Sequence, residues 1–262
     1  MGSILWELRS DKVVSAIKEK KRLDARKFDE YRDVKIQRGI SENADGSARV
    51  FIGKTEVIAG AKFAIGTPFP DSPDQGSISV GAELLPLASP SFELGPPNDT
   101  SIELARVVDR GIRESKCLDF KSLCLVEGEK VWIAFLDIYA INDDGNLLDA
   151  SALAAITSLV QARLPKIEDG EIVKGEYEGK IKLANTPVLS TFAKIFDSVV
   201  LDPILAEEKA MSARFSVATI EDDRISAFQK GLSGSFHANE ITEAVETALK
   251  QSKGLRKLVL KE

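Results

Sequence analysis

The chain has 262 residues, with 35 Lys plus Arg against 41 Asp plus Glu, a formal net charge of −6, 44% hydrophobic and 29% charged residues. These are ordinary globular proportions and argue against disorder, collagen and coiled coil. The acidic total excludes a protein that coats nucleic acid through bulk charge, so any RNA or DNA contact needs a local basic patch.

In chain order, residues 4–21 place apolar groups at Leu5, Leu8, Val13, Val14 and Ile17, the spacing of an amphipathic helix with a basic C-terminal end. A stretch dense in both charge signs follows, and Val34 and Ile36 open a strand alternation. Two β-rich runs, 48–52 and 55–65, flank Gly53-Lys54, which predicts a hairpin. Residues 66–98 carry seven prolines and read as a long extended loop, strand-like only over 76–85. A helix is expected at about 100–115, with Thr100 or Ser101 as its cap. The apolar run 131–141 reads as a buried strand and Asn142–Asn146 as a tight turn. Asp149 is expected to cap a small-residue helix over 150–162. Residues 165–184 read as a polar connector. Strand-like runs return at 186–201, 213–220 and 224–230, before a last helix over about 238–251. Strands precede helices in each part, which is the α+β pattern given twice. The parts expected are 1–170 and 185–262.

Rare residues exclude several chemistries. His237 is the one histidine, so reactions needing two histidines and imidazole-built zinc sites are out. Cys117 and Cys124 form no CxxC pair, which excludes a disulfide framework and a Cys-rich metal site and suits a reducing cytoplasm. No apolar run approaches the roughly 20 residues of a membrane helix. Glu7 and Arg9 precede any long apolar stretch, unlike a signal peptide. The expectation is a soluble cytoplasmic protein without cofactor or metal.

The 100–115 helix is the most informative element. At about 100° per residue, Arg106, Arg110 and Arg113 fall on one stripe, opposite Leu104, Val107, Val108, Gly111 and Ile112. Three guanidiniums so placed could clamp phosphate. The residues by themselves slightly favour the other reading, in which they pair with Glu103, Asp109 and Glu114 as a salt-laced surface. Asp202, Glu207 and Glu208 could hold Mg²⁺, but without further ligands they read as a solvated turn and short helix. Asp143, Asp144, Asn146 and Asp149 imitate half of an EF-hand loop. His237 reads as structural and the cysteines as packed. No Walker or dinucleotide fingerprint occurs.

Five stretches then make the chain recognisable: RLDARKFDEYR, GSARVFIGKTEVIAGAKF, IELARVVDRGIRES, DIYAINDDGNLLDASALAA and LDPILAEE. Together they resemble the RNase PH family of phosphorolytic 3′→5′ exoribonucleases, in family order and over about residues 22–252. Within it, ELLPLASPSFELGPPNDTSIELARVVDRGIRES and the turn DDGNLLDASALAA look like the non-catalytic ring subunit of the archaeal exosome. The resemblance implies an RNase PH-like (ribosomal protein S5 domain 2-like) α+β fold with two pseudo-symmetric sheet-plus-helix layers. It implies a chemistry of inorganic phosphate attacking the 3′-terminal RNA linkage.

Two departures from the active pattern stand out. The turn where active relatives carry a phosphate-binding Gly-Thr-Arg holds Asn146, Leu147 and Leu148 here. Two acidic positions of active relatives align with Glu208 and Arg214, and an arginine is neither a metal ligand nor a general acid. The resemblance therefore implies an inactive subunit. It would alternate with a catalytic RNase PH-like partner in a ring of three heterodimers and help carry caps with S1-type domains. Arg106, Arg110 and Arg113 would then hold single-stranded RNA, and the family likeness favours this over a salt-laced surface. The alternatives are an active homohexamer and a ring subunit without RNA contact.

Overall fold

The computed structural model describes residues 2–168 and 170–261, with side chains described from Glu7 onward. The apolar position expected at Leu5 therefore lies outside the described side chains.

The N-terminal sheet has six strands. Five run in the order β1 (Val34–Arg38), β2 (Gly46–Ile52), β3 (Thr55–Gly66), β6 (Lys130–Asn142), β4 (Ser77–Leu84), and β5 (Cys124–Val126) pairs with β6. The β2–β3 hairpin forms where expected, with Ile52 opposite Thr55 and Gly53 at φ +59° making the turn. Strand β6 alternates buried and exposed residues, and pairs antiparallel to β3 and parallel to β4. A parallel pair needs a crossover, and residues 85–129, between β4 and β6, supply it.

The second sheet has the order β10 (Ser198–Leu201), β9 (Val188–Ile195), β11 (Ala213–Thr219), β12 (Ile225–Gly231), all antiparallel. Every residue of β9 is buried. One of its faces meets α3 (Leu147–Gln161) and the other α5 (Ala238–Leu260), so no polar alternation survives in its sequence. Helix α3 is apolar nearly all round, which suits its place between the two sheets. Helix α2 (Asp99–Glu114) packs beside α3, over β4 on one flank and β12 on the other. Helix α1 (Gly2–Lys18) buries Val13 and Ile17 with Ala193, Ile195 and Val200, beside the short helix α4 (Leu205–Ala210). The layers from one side are thus sheet, helices α2 and α3, sheet, helix α5.

Four local expectations are corrected. Helix α2 is capped by Asn98, whose Oδ1 accepts the Ser101 N–H at 3.0 Å, not by Thr100 or Ser101. Asn98, Asp99, Thr100 and Ser101 are all good capping residue types, so composition alone could not choose. Helix α3 is capped by Asn146, in the left-handed region at φ +58°, while Asp149 lies inside the first turn and is fully buried. Residues 165–184 are no plain connector: β7 (Arg163–Glu168) and β8 (Glu171–Lys180) pair as a separate hairpin, with Arg163 stacked on Tyr177 at 4.0 Å. Its outward side chains are all polar, which hid the strand period. Helix α5 runs nine residues past the expected end, because Leu255, Arg256 and Val259 are buried and Arg38 of β1 donates to the Leu258 and Val259 carbonyls.

Candidate functional site

Helix α2 holds its stripe as the periodicity requires. Ser101, Leu104, Val107, Val108, Gly111 and Ile112 are buried, and Arg106, Arg110 and Arg113 are exposed on the opposite side. The three arginines differ in company. Arg113 donates to Asp109 Oδ1 at 2.8 Å and to the Ile78 carbonyl at 3.2 Å, and lies over the Phe120 ring. Glu103 turns away from the stripe to pair with Arg214 of β11. Among the described residues, Glu114 forms no ion pair, and Arg106 and Arg110 have no hydrogen-bond or ion-pair partner. Only one of the three expected helix pairings, Arg113 with Asp109, is made.

A second cluster surrounds the start of α3. It is held by arginines from the segment before β1, to which no sequence pattern gave a role. Arg22 grips Glu207 at 2.9 and 2.6 Å and donates to the Leu201 carbonyl at 2.8 Å. Arg26 and Arg32 both bind Asp202, at 2.9 Å from Arg26 Nη1 and 2.7 Å from Arg32 Nη2. Asp202 also accepts from Asn146 Nδ2 at 2.7 Å. Burial alone would raise the Asp202 pKa, but the hydrogen bonds and charge of Arg32 and the Asn146 amide hold it below the usual carboxylate value. The expectation of a solvated turn is therefore wrong for Asp202 and Glu207, which are fully buried and neutralised. The donor set does not fit a metal ion: these two carboxylates are saturated by guanidiniums, and among the described residues no group of three possible ligands could hold one.

Glu208 faces the other way. It is partly buried, and its Oε1 accepts the Asn146 N–H at 2.8 Å at the head of α3. Burial pushes its pKa up to about 7, opposed by that N–H and reinforced by the Asp143 charge. The carboxylate thus occupies an anion-favouring helix start itself. Gly145 shapes this turn: at φ +88°, its missing Cβ would stand 2.4 Å from the Leu205 N. Leu148 is buried and Leu147 half-buried, so the turn offers neither hydroxyl nor guanidinium. Asp149 joins the layers, accepting from Tyr31 Oη (2.8 Å), Thr191 N (2.9 Å) and Thr191 Oγ1 (2.7 Å). Burial lifts its pKa to about 6 against those hydrogen bonds.

The half EF-hand is not assembled, since Asp143 Oδ1 accepts the Gly145 N–H, Asp144 lies 3.8 Å from Arg32, and Asp149 points inward. His237 precedes α5, where its N–H donates to Glu240 at 2.7 Å. Cys117 is buried, with its thiol pushed up to about 11 by burial. No helix among the described residues is long and apolar enough to cross a membrane.

Comparison with known proteins agrees with this fold. Residues 30–165 match the 3′ exoribonuclease family, domain 1 (RNase PH), and residues 185–251 match domain 2. The exosome complex component Rrp42 of Thermococcus gammatolerans is 46% identical over 262 residues, covering 98% of this chain and 96% of the relative. A chain from the Archaeoglobus fulgidus exosome with RNA bound to the active site superposes with a TM-score of 0.91 at 42% identity, covering 97% of this chain and 98% of that one. A chain of an archaeal exosome core gives 0.88 at 38% identity, covering 99% of both. With both domains present in order and relatives matched almost end to end, the chain belongs to the RNase PH, or 3′ exoribonuclease, family.

Proposed function

We propose that this chain is a non-catalytic subunit of an archaeal exosome ring. It pairs with a catalytic RNase PH-like subunit in a ring of three heterodimers that carries S1-domain caps and degrades single-stranded RNA in the cytoplasm. Its own contribution is positional: Arg106 and Arg110 hold backbone phosphates of the 3′ end while the partner's site performs the attack by inorganic phosphate. The observation that carries this reading is that these two arginines stand exposed and, among the described residues, unpartnered on a helix whose other side is fully packed. Such guanidiniums keep their donors for a ligand. Arg113 shares the stripe, but with Asp109 already on it, it offers the weakest phosphate contact of the three.

Three features support the absence of chemistry in this chain. The α3 turn presents aliphatic side chains, Glu208 occupies its leading N–H, and Arg214 stands where the resemblance expects an acid. The same reading keeps two RNase PH-like parts, 1–170 and 185–262, supported by one large sheet in each.

The test is the double charge reversal Arg106→Glu with Arg110→Glu in the assembled ring. Poly(A) binding weakens, and the slope of log affinity against log salt becomes shallower by about one for each phosphate no longer neutralised. Unchanged affinity and degradation rate would overturn the RNA-binding role. A purified chain that shortens poly(A) with phosphate, without a partner, would overturn the non-catalytic one.

A further inference from the structure

We infer that Arg214 serves RNA binding at one remove: it draws Glu103 away from Arg106, so that Arg106 stays open to phosphate. This rests on the RNA-binding reading of Arg106 and Arg110. Glu103 lies three residues before Arg106 on the same flank of α2, with the acid N-terminal to the base, which is the favourable order for a helix pair. The helix makes one pair in that order, Asp109 with Arg113 at 2.8 Å, whereas Glu114, which follows Arg110 in the less favourable order, stays unpaired among the described residues. Glu103 instead crosses to β11 and pairs with Arg214.

Arg214 is built for this reach. Its side chain is only 14% exposed, whereas that of Glu103 is 39% exposed and free to swing back if released. Arg214 lies opposite Gly231 of β12, and a Cβ there would come within 2.7 Å of the guanidinium. Bare glycine is what lets the guanidinium lie against that strand. Arg214 Nε is buried without a partner among the described residues, and Glu103 is the guanidinium's hydrogen-bond acceptor. A guanidinium held so tightly has little reach of its own toward RNA, and its charge acts on the neighbouring carboxylate. Arg214 is thus a positioning residue.

The sign pattern of three variants in the assembled ring tests this, with poly(A) binding as the readout. Arg214→Gln frees Glu103 to pair with Arg106 and weakens binding about twofold at low salt, the scale of a single helix ion pair. Glu103→Gln binds at least as tightly as the wild type. The double variant E103Q/R214Q recovers the affinity that R214Q loses. A double variant as weak as R214Q would mean that Arg214 touches RNA or merely braces the fold, and would overturn the inference, as would an R214Q ring that binds normally. If R214Q does not assemble, E103Q alone decides, because weaker binding by E103Q contradicts the inference. An Arg106→Ala, Arg110→Ala ring run alongside separates the two levels. If it binds RNA normally, the underlying RNA reading fails and this one with it; if it binds weakly, the three variants judge Arg214 alone.

Discussion

Asp202→Asn probes the point where three segments distant in sequence meet. Oδ2 accepts from Arg26 Nη1, Arg32 N and Arg32 Nε, each at 2.9 Å, and Oδ1 accepts from Arg32 Nη2 and Asn146 Nδ2, each at 2.7 Å. Asparagine preserves the shape and tolerates the left-handed backbone at φ +50°, so strain is not the perturbation. It keeps one acceptor, but turns the other into an amide that faces at least two N–H donors whichever way it is turned, and it removes the charge between two guanidiniums. Breaking a buried pair in this way costs about 3–5 kcal/mol. Here the lower end applies, because Arg26 keeps Asp24 at 2.7 Å and Arg32 keeps the Asp144 carbonyl at 2.8 Å. A loss of about 3 kcal/mol lowers Tm by about 6–12 °C in a chain of this size. Because the Asp202 pKa is depressed, the stability it provides is present above its ordinary value of 3.8 and is lost as pH falls through the lower folded value. The deficit of the variant, measured by calorimetry on the purified chain, is therefore full at pH 7 and shrinks below about pH 4. A Tm drop under about 2 °C at pH 7, or a deficit equally large at pH 3, would refute the role of the ionised carboxylate.

Two further outcomes follow from the same structure. Glu208→Gln keeps an acceptor for the Asn146 N–H, which Glu208 holds at 2.8 Å, but cannot ionise. The raised pKa of Glu208 means that its neutral form favours the fold below the ordinary value of 4.5 and that this advantage is lost as pH rises through about 7. The variant should therefore be more stable than the wild type at pH 8, by about 1–3 kcal/mol after discounting for partial exposure, and equal to it near pH 4 in urea unfolding. A constant difference across that range contradicts the assignment. Asn98→Ala removes the α2 cap and should cost about 1 kcal/mol, while Thr100→Ala should cost less. The reverse order in thermal melts would return the cap to Thr100.

Much of this protein was legible locally. The β2–β3 hairpin follows from alternation around a glycine turn, and the arginine stripe from spacings of four and three along α2. Both depend on neighbours a few residues away, where backbone geometry alone decides which side chains share a face. The residues at Asn146–Leu148 and Arg214, which the family resemblance sets apart from the active pattern, were equally plain in the sequence.

The rest depended on topology. Arg22 and Glu207 are 185 residues apart, Arg32 and Asp202 are 170, and Glu103 and Arg214 are 111. No period in the sequence relates them, because they meet only where the segment before β1 is drawn against the start of α4 and where α2 is laid across the second sheet. The sequence by itself therefore determined the family and the stripe of guanidiniums. Which charges neutralise one another was decided by tertiary structure. Ion pairing depends on distance and burial in the folded chain, and that packing left Arg106 and Arg110 unpaired among the described residues while Asp202 and Glu207 were neutralised.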